Sequence, residues 1–137
     1  MIDKPESSTW KSLIEEEQNL TAIIYFVATD EYDVIDEGTG ECKIEMSRSK
    51  LKEIVCSGVI NEKTRIVVFL NRKDLFQERM KDPNGFEAFK QRFPEYRGGP
   101  DEVEGLDFLR DWFKSVTDRR INVHYTSAFD NERYMKV

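Results

Sequence analysis

The 137 residues predict a single α/β domain built on a parallel sheet. Three apolar runs carry that prediction: Leu20–Ala28, Ile66–Leu70 and Ile121–Tyr125, each short and rich in β-branched or aromatic residues, as strands of buried sheets are. Two amphipathic stretches at near-helical spacing, Ile44–Val55 and Val103–Val116, separate them. Strands joined by crossovers this long pair in parallel, in right-handed βαβ units.

Taken in order, Met1–Ser8 is polar. Trp10, Leu13 and Ile14 then recur at helical spacing, with Ser8 or Thr9 as an N-cap. The run Glu15-Glu16-Glu17 reads as a solvated helix face. Leu20–Ala28 is the first strand, apolar on both faces, and Thr29–Glu41 is an acidic, glycine-containing loop. Ile44, Leu51, Ile54 and Val55 mark a helix that ends near Gly58, and Cys56 is expected to pack into the core with them. Ile66–Leu70 reads as a strand buried on both faces. Phe76–Gly99 reads as irregular, with a turn at Asp82-Pro83-Asn84-Gly85 and aromatics at Phe86, Phe89, Phe93 and Tyr96. Pro100-Asp101 opens a helix whose first turn carries Asp101, Glu102 and Glu104 at the positive end of its dipole. Its inner face is expected to hold Val103, Leu106, Phe108 or Leu109, Phe113 and Val116, with Lys114, Arg119 and Arg120 near its end. Ile121–Tyr125 leads into Thr126-Ser127-Ala128-Phe129-Asp130, and the last residues begin another helix. His124, the lone histidine, is expected to be partly buried and structural rather than catalytic.

Hydrophobic residues make up 39% and charged residues 35% of the chain, a globular balance. A formal charge of −6 disfavours nucleic acid or an anionic membrane as the main partner. No apolar run approaches a membrane span, no secretory core opens the chain, and Ile2 does not fit an N-myristoylation signal. Cys42 and Cys56 lack a CxxC or histidine partner and suit reduced thiols. The expected location is cytoplasmic.

Candidate chemistry gathers at the ends of the second and third strands. Ligands of open α/β sheets bind outside the carboxyl ends of their strands. Ile66–Leu70 ends in Asn71-Arg72-Lys73-Asp74. An ionised Asp74 only accepts hydrogen bonds, and its two oxygens match the N1–H and N2–H2 donors of guanine. Adenine lacks that donor pair and would leave the carboxylate underpaired. The third strand ends in Thr126-Ser127-Ala128, whose small residues let backbone N–H groups approach a flat ligand. The Ala128 amide could meet guanine O6 while Asp74 takes the opposite edge.

From about Trp10 onward, the chain resembles the carboxyl-terminal part of a heterotrimeric G-protein alpha subunit. The resemblance rests on Leu20–Ala28, Glu31-Tyr32-Asp33, Phe69-Leu70-Asn71-Arg72-Lys73-Asp74-Leu75-Phe76, Phe93-Pro94-Glu95-Tyr96 with Gly98, and Tyr125-Thr126-Ser127-Ala128 before Asp130. It implies a three-layer sheet of the P-loop GTPase (Ras-like) type, with only the last three of six strands present in residues 1–137. It also implies that GTP and GDP are bound at Asn71, Arg72, Lys73, Asp74, Ser127 and Ala128, and that a beta–gamma dimer, a receptor and an effector are partners at the inner face of the plasma membrane.

Two family motifs are altered here. Arg72 stands at the lysine position of Asn-Lys-x-Asp, where the lysine stem covers the base, and guanidinium and ammonium are not interchangeable. Thr126-Ser127-Ala128 stands for the family's Thr-Cys-Ala loop, with a bulkier Phe129 following. The 137 residues contain no G-x-x-x-x-G-K-[ST] loop, no catalytic arginine and threonine segment and no D-x-x-G-Q strand. Three expectations follow. Mg²⁺ is not held by these residues, GTP turnover is not expected from them, and one face of the sheet lacks the family's first and last helices. The rival readings are a non-enzymatic interaction module and an incomplete fragment.

Overall fold

The computed structural model describes residues 22–58 and 60–127. Three strands, β1 (Ala22–Ala28), β2 (Arg65–Asn71) and β3 (Ile121–Tyr125), form an all-parallel sheet in the order β1-β2-β3. In register, Ala28 lies opposite Asn71 and Leu70 opposite Tyr125, so all three carboxyl ends finish at one edge of the fold. Four helices connect them: α1 (Lys43–Cys56), α2 (Lys73–Lys81), α3 (Pro83–Arg92) and α4 (Glu102–Lys114). The parallel α/β architecture expected from the three apolar runs is the one observed. Expectations for Trp10–Ile14, for Leu20 and Thr21, and for Ala128 onward lie outside the described residues.

Among the described residues, helices cover one face of the sheet rather than two. Ile66, Val68 and Leu70 of β2 are buried, whereas Val67, Phe69 and Asn71 are half-buried. The reason is placement: one core joins Val27, Ile66, Val68, Leu70 and Ile121 to residues of all four helices, among them Leu51, Met80, Phe89 and Leu109. Across the other face runs a stacked row, Phe26 on Phe69 at 5.1 Å and Phe69 on His124 at 5.5 Å between ring centroids. His124 is therefore exposed, not partly buried, because its alternation along β3 turns it away from the helices.

Helix α1 buries Ile44, Leu51 and Val55 at the predicted spacing. Gly58 follows with φ of +79°, the left-handed conformation that closes helices at little steric cost to glycine. Cys56 departs from its predicted place. It is exposed, because it follows Val55 by 100° around the helix and falls off the buried stripe. Cys42 is the buried thiol and donates to the Tyr32 carbonyl at 3.1 Å.

The largest correction is at Phe76–Gly99, which holds most of α2 and all of α3 instead of irregular chain. Phe76 and Met80 are spaced i, i+4, and Phe86, Phe89 and Phe93 are spaced three and four; these are helical intervals. Pro83 is the first residue of α3, where its missing N–H costs nothing, so Asp82-Pro83-Asn84-Gly85 is a helix start, not a free turn. Phe89 anchors the pair. Its ring meets Tyr32 and Tyr96 edge-to-face at 5.1 and 5.0 Å, and such pairs each contribute about 0.5–1.5 kcal/mol beyond area burial. The backbones of α2 and α3 touch at Gly85, whose carbonyl accepts from the Tyr32 hydroxyl at 2.7 Å.

Helix α4 begins as expected, with Asp101 accepting from the Val103 amide at 3.3 Å. Leu106, Leu109 and Phe113 point into the core. Val103 does not. It is 55% exposed although it lies one turn before buried Leu106 on the same face, because it sits in the helix's first turn, at the end of the element.

Candidate functional site

Each strand stops at a polar group, and the register brings the three stops together. Thr29 follows β1, Asn71 closes β2, and Thr126 follows β3. The Thr29 hydroxyl donates to the Asn71 carbonyl at 2.7 Å, and the Thr126 hydroxyl donates to Asn71 Oδ1 at 3.0 Å. Both threonines are buried. The β3 end is laced to the β2 end by two further bonds, Thr126 N–H to the Leu70 carbonyl at 3.0 Å and Lys73 N–H to the Thr126 carbonyl at 2.9 Å. Asn71 is thus fixed from both sides, with Oδ1 engaged and its Nδ2 donors uncommitted among the described residues.

Arg72 turns the chain. At φ 65° and ψ 37° it is the one non-glycine residue with positive φ among those described. A left-handed arginine is costly and persists only where its surroundings hold it. Here Asn71 is pinned before it, and its own carbonyl accepts from the Phe76 amide in the first turn of α2. Its guanidinium reaches back across β2 toward β1, with Nη1 3.4 Å from Asp30 Oδ1. Asp74 then sits in the first turn of α2, where helix N–H groups favour a carboxylate. Its side chain is exposed and makes no hydrogen bond or ion pair with a described residue.

The predicted set is therefore brought to one edge in large part. Asn71, Arg72, Lys73, Asp74 and Ser127 meet where β2 and β3 end, and Ser127 is buried there. Ala128 lies outside the described residues. Sequence reasoning missed Thr29, Asp30 and the hydroxyl role of Thr126. A signal existed: a threonine directly follows each apolar run flanking the one that ends in Asn71.

A second network braces the β1 end. Arg79 of α2 forks onto both oxygens of Asp33 at 2.7 and 2.8 Å and gives a further bond to the Asp30 carbonyl at 2.9 Å. Its guanidinium lies 4.5 Å from the centre of the Tyr32 ring. The hydrogen bonds from Arg79 hold the Asp33 carboxyl below the usual carboxylate range, and the same bonds raise Arg79. Burial pushes the Tyr32 phenol up to about 12. On the other flank, the Tyr125 hydroxyl donates to Asp107 at 2.6 Å; burial first, then that bond, raises its pKa.

Chemically, the edge offers an open acceptor pair on Asp74, amide donors on Asn71 and a guanidinium between them. Among the described residues there is no cluster of three or more His, Cys, Asp or Glu side chains placed for a metal. No helix among those residues is long and apolar enough to cross a membrane.

Known proteins are similar to this sequence. The alpha-2 subunit of a guanine nucleotide-binding protein from Caenorhabditis elegans is 33% identical over 125 residues, covering 88% of this chain and 33% of the relative. A guanine nucleotide-binding protein subunit alpha from Cochliobolus heterostrophus is 31% identical over 119 residues, covering 82% of this chain and 32% of the relative. The chain spans about a third of the length of the curated relatives it matches. The family profile described as G-protein alpha subunit matches residues 3–137. With that match along nearly every residue, and with Asn71–Asp74 beside Thr126-Ser127 at the strand ends, the chain belongs to the G-protein alpha subunit family.

Proposed function

We propose that residues 1–137 form the base-recognition half of a guanine-nucleotide site in a G-protein alpha-type signal transducer. The observation that carries this reading is the fixing of Asn71 by Thr29 and Thr126, beside an exposed Asp74 carboxylate whose oxygens are uncommitted among the described residues. A carboxylate held on a helix start accepts from guanine N1–H and N2–H2, and Asn71 Nδ2 can donate to N7 on the other edge of the ring. The loop at Ser127 and Ala128 supplies the approach to O6. GTP and GDP are the proposed ligands. A beta–gamma dimer, a receptor and an effector are the proposed partners, at the cytoplasmic face of the plasma membrane, on the strength of the family.

Contacts to the phosphates are not part of this half. The 137 residues carry no G-x-x-x-x-G-K-[ST] loop, so affinity here rests on the base. Calorimetric titration of the 137-residue chain with guanosine, GDP and adenosine tests the proposal. Guanosine and GDP are expected to bind comparably, with adenosine at least about tenfold weaker, since a missing hydrogen-bond pair leaves Asp74 unpaired. Asp74→Asn should remove the preference. Equal binding of guanosine and adenosine to the unaltered chain overturns the reading.

A further inference from the structure

We propose that Asp30 is a positioning residue for base binding: its carboxylate holds the Arg72 guanidinium in place so that Arg72 forms a preset stacking wall of the purine slot. The inference rests on the base-site reading above and adds to it a residue in the turn that follows a different strand. Asp74 and the Thr126-Ser127 loop are placed to read the edges of a planar base. Arg72, between Asn71 and Asp74, is the group left to cover its face, and a guanidinium plane stacks well on aromatic rings. An arginine free in solvent would have to freeze its long side chain for that contact. One anchored in advance binds the same base more tightly because that ordering is already done.

Anchoring is what the structure displays. The Arg72 backbone is locked in the left-handed region by Asn71 on one side and the first turn of α2 on the other. Its head lies 3.4 Å from Asp30, a carboxylate whose side chain is only 17% exposed although that of Arg72 is 44% exposed. Asp30 is itself held: its carbonyl accepts from Arg79, which is forked onto Asp33 and lies over Tyr32. The chain of constraint therefore runs from α2, through the β1 end, back to the residue that leads into α2. The Asp30–Arg72 pair is separate from the edge-reading side chains of Asn71 and Asp74, so it should set affinity without setting which base is preferred.

The test is a double-substitution cycle on the 137-residue chain, with Asp30→Asn, Arg72→Gln and the pair, each titrated with guanosine and adenosine by NMR. Arg72 is exposed and Asp30→Asn is isosteric, so thermal melts are expected to be close to that of the unaltered chain. Each single change should weaken guanosine about 2- to 10-fold, the factor expected for leaving one long side chain unordered. The pair should be no weaker than Arg72→Gln alone, and the guanosine-to-adenosine ratio should stay constant throughout. A second readout, 15N relaxation at Arg72 Nε, should show an ordered side chain that loosens in Asp30→Asn. Guanosine preference in the unaltered chain with no penalty for Asp30→Asn, or with penalties that multiply, overturns the positioning role and leaves the base site standing. Absence of guanosine preference in the unaltered chain overturns the base site. In that case, loosening of Arg72 in Asp30→Asn would mark the pair as structural only and overturn this proposal too.

Discussion

Gly85→Ala should destabilise the chain although it replaces a glycine inside a helix. A Cβ at this position would lie 2.1 Å from the Arg79 carbonyl oxygen, 2.9 Å from its carbon and 3.2 Å from its Cα. These are backbone atoms of α2 and cannot rotate aside, so α2 and α3 must part by more than about 1 Å to restore ordinary van der Waals contact. Overpacking of this kind costs about 1–3 kcal/mol. Separation also strains the buried hydrogen bond from Tyr32 to the Gly85 carbonyl, worth about 0.5–1.5 kcal/mol. Against this, alanine is about 1 kcal/mol better than glycine in a helix. The net loss is about 2 kcal/mol, which lowers the midpoint of a domain this size by about 6–10 °C. Gly99→Ala is the control: a Cβ there meets nothing within 4 Å, and the change should be neutral. Thermal melts followed by far-ultraviolet circular dichroism decide the question. Gly85→Ala melting at or above the unaltered chain would refute the close approach of the two helices.

Two further changes probe the strand ends. Thr126→Val keeps the shape but removes the donor to Asn71 Oδ1. It should cost about 1 kcal/mol in urea denaturation and weaken guanosine, and unchanged stability would show that the bond contributes nothing. Asp33→Asn tests the pair with Arg79 through pH. Because the folded pKa of Asp33 is depressed, its contribution is present above the unfolded value of about 3.9 and is lost as pH falls through the folded value. The variant should therefore be less stable than the unaltered chain at pH 6–7, by no more than about 1 kcal/mol for a pair this exposed, and should converge with it below pH 4. A gap that stays constant down to pH 3 would assign the effect to something other than charge.

Much of this fold is written in local spacing. Ile44, Leu51 and Val55 mark α1, Leu106, Leu109 and Phe113 mark α4, and the three apolar runs mark the strands, because each pattern reports which side of an element meets the core. The left-handed Gly58 at the end of α1 is equally local. Helices α2 and α3 were not legible as such. They are short and strongly polar, so propensity alone would not sustain them, and what sustains them is Phe89 packed between Tyr32, Phe76 and Tyr96 from three other segments. The exposure of Cys56, His124 and Val103 was misread for a related reason. Apolar neighbours in sequence do not tell which face of a strand, or which side of a helix, the rest of the chain covers.

The site divides in the same way. Asn71, Arg72, Lys73, Asp74 and Ser127 could be named in advance because the carboxyl end of an apolar strand is a local feature, and a short polar residue placed there has few other uses. The sequence by itself determined which residues stand at the strand ends and which chemical groups they offer. Only the tertiary structure decided how those groups are held. Thr29 reaches Asn71 across 42 residues and Thr126 across 55, and Asp30 meets Arg72 across 42. Such pairings depend on strand order and register, which arise when distant apolar faces are buried together, and no spacing along the chain encodes them.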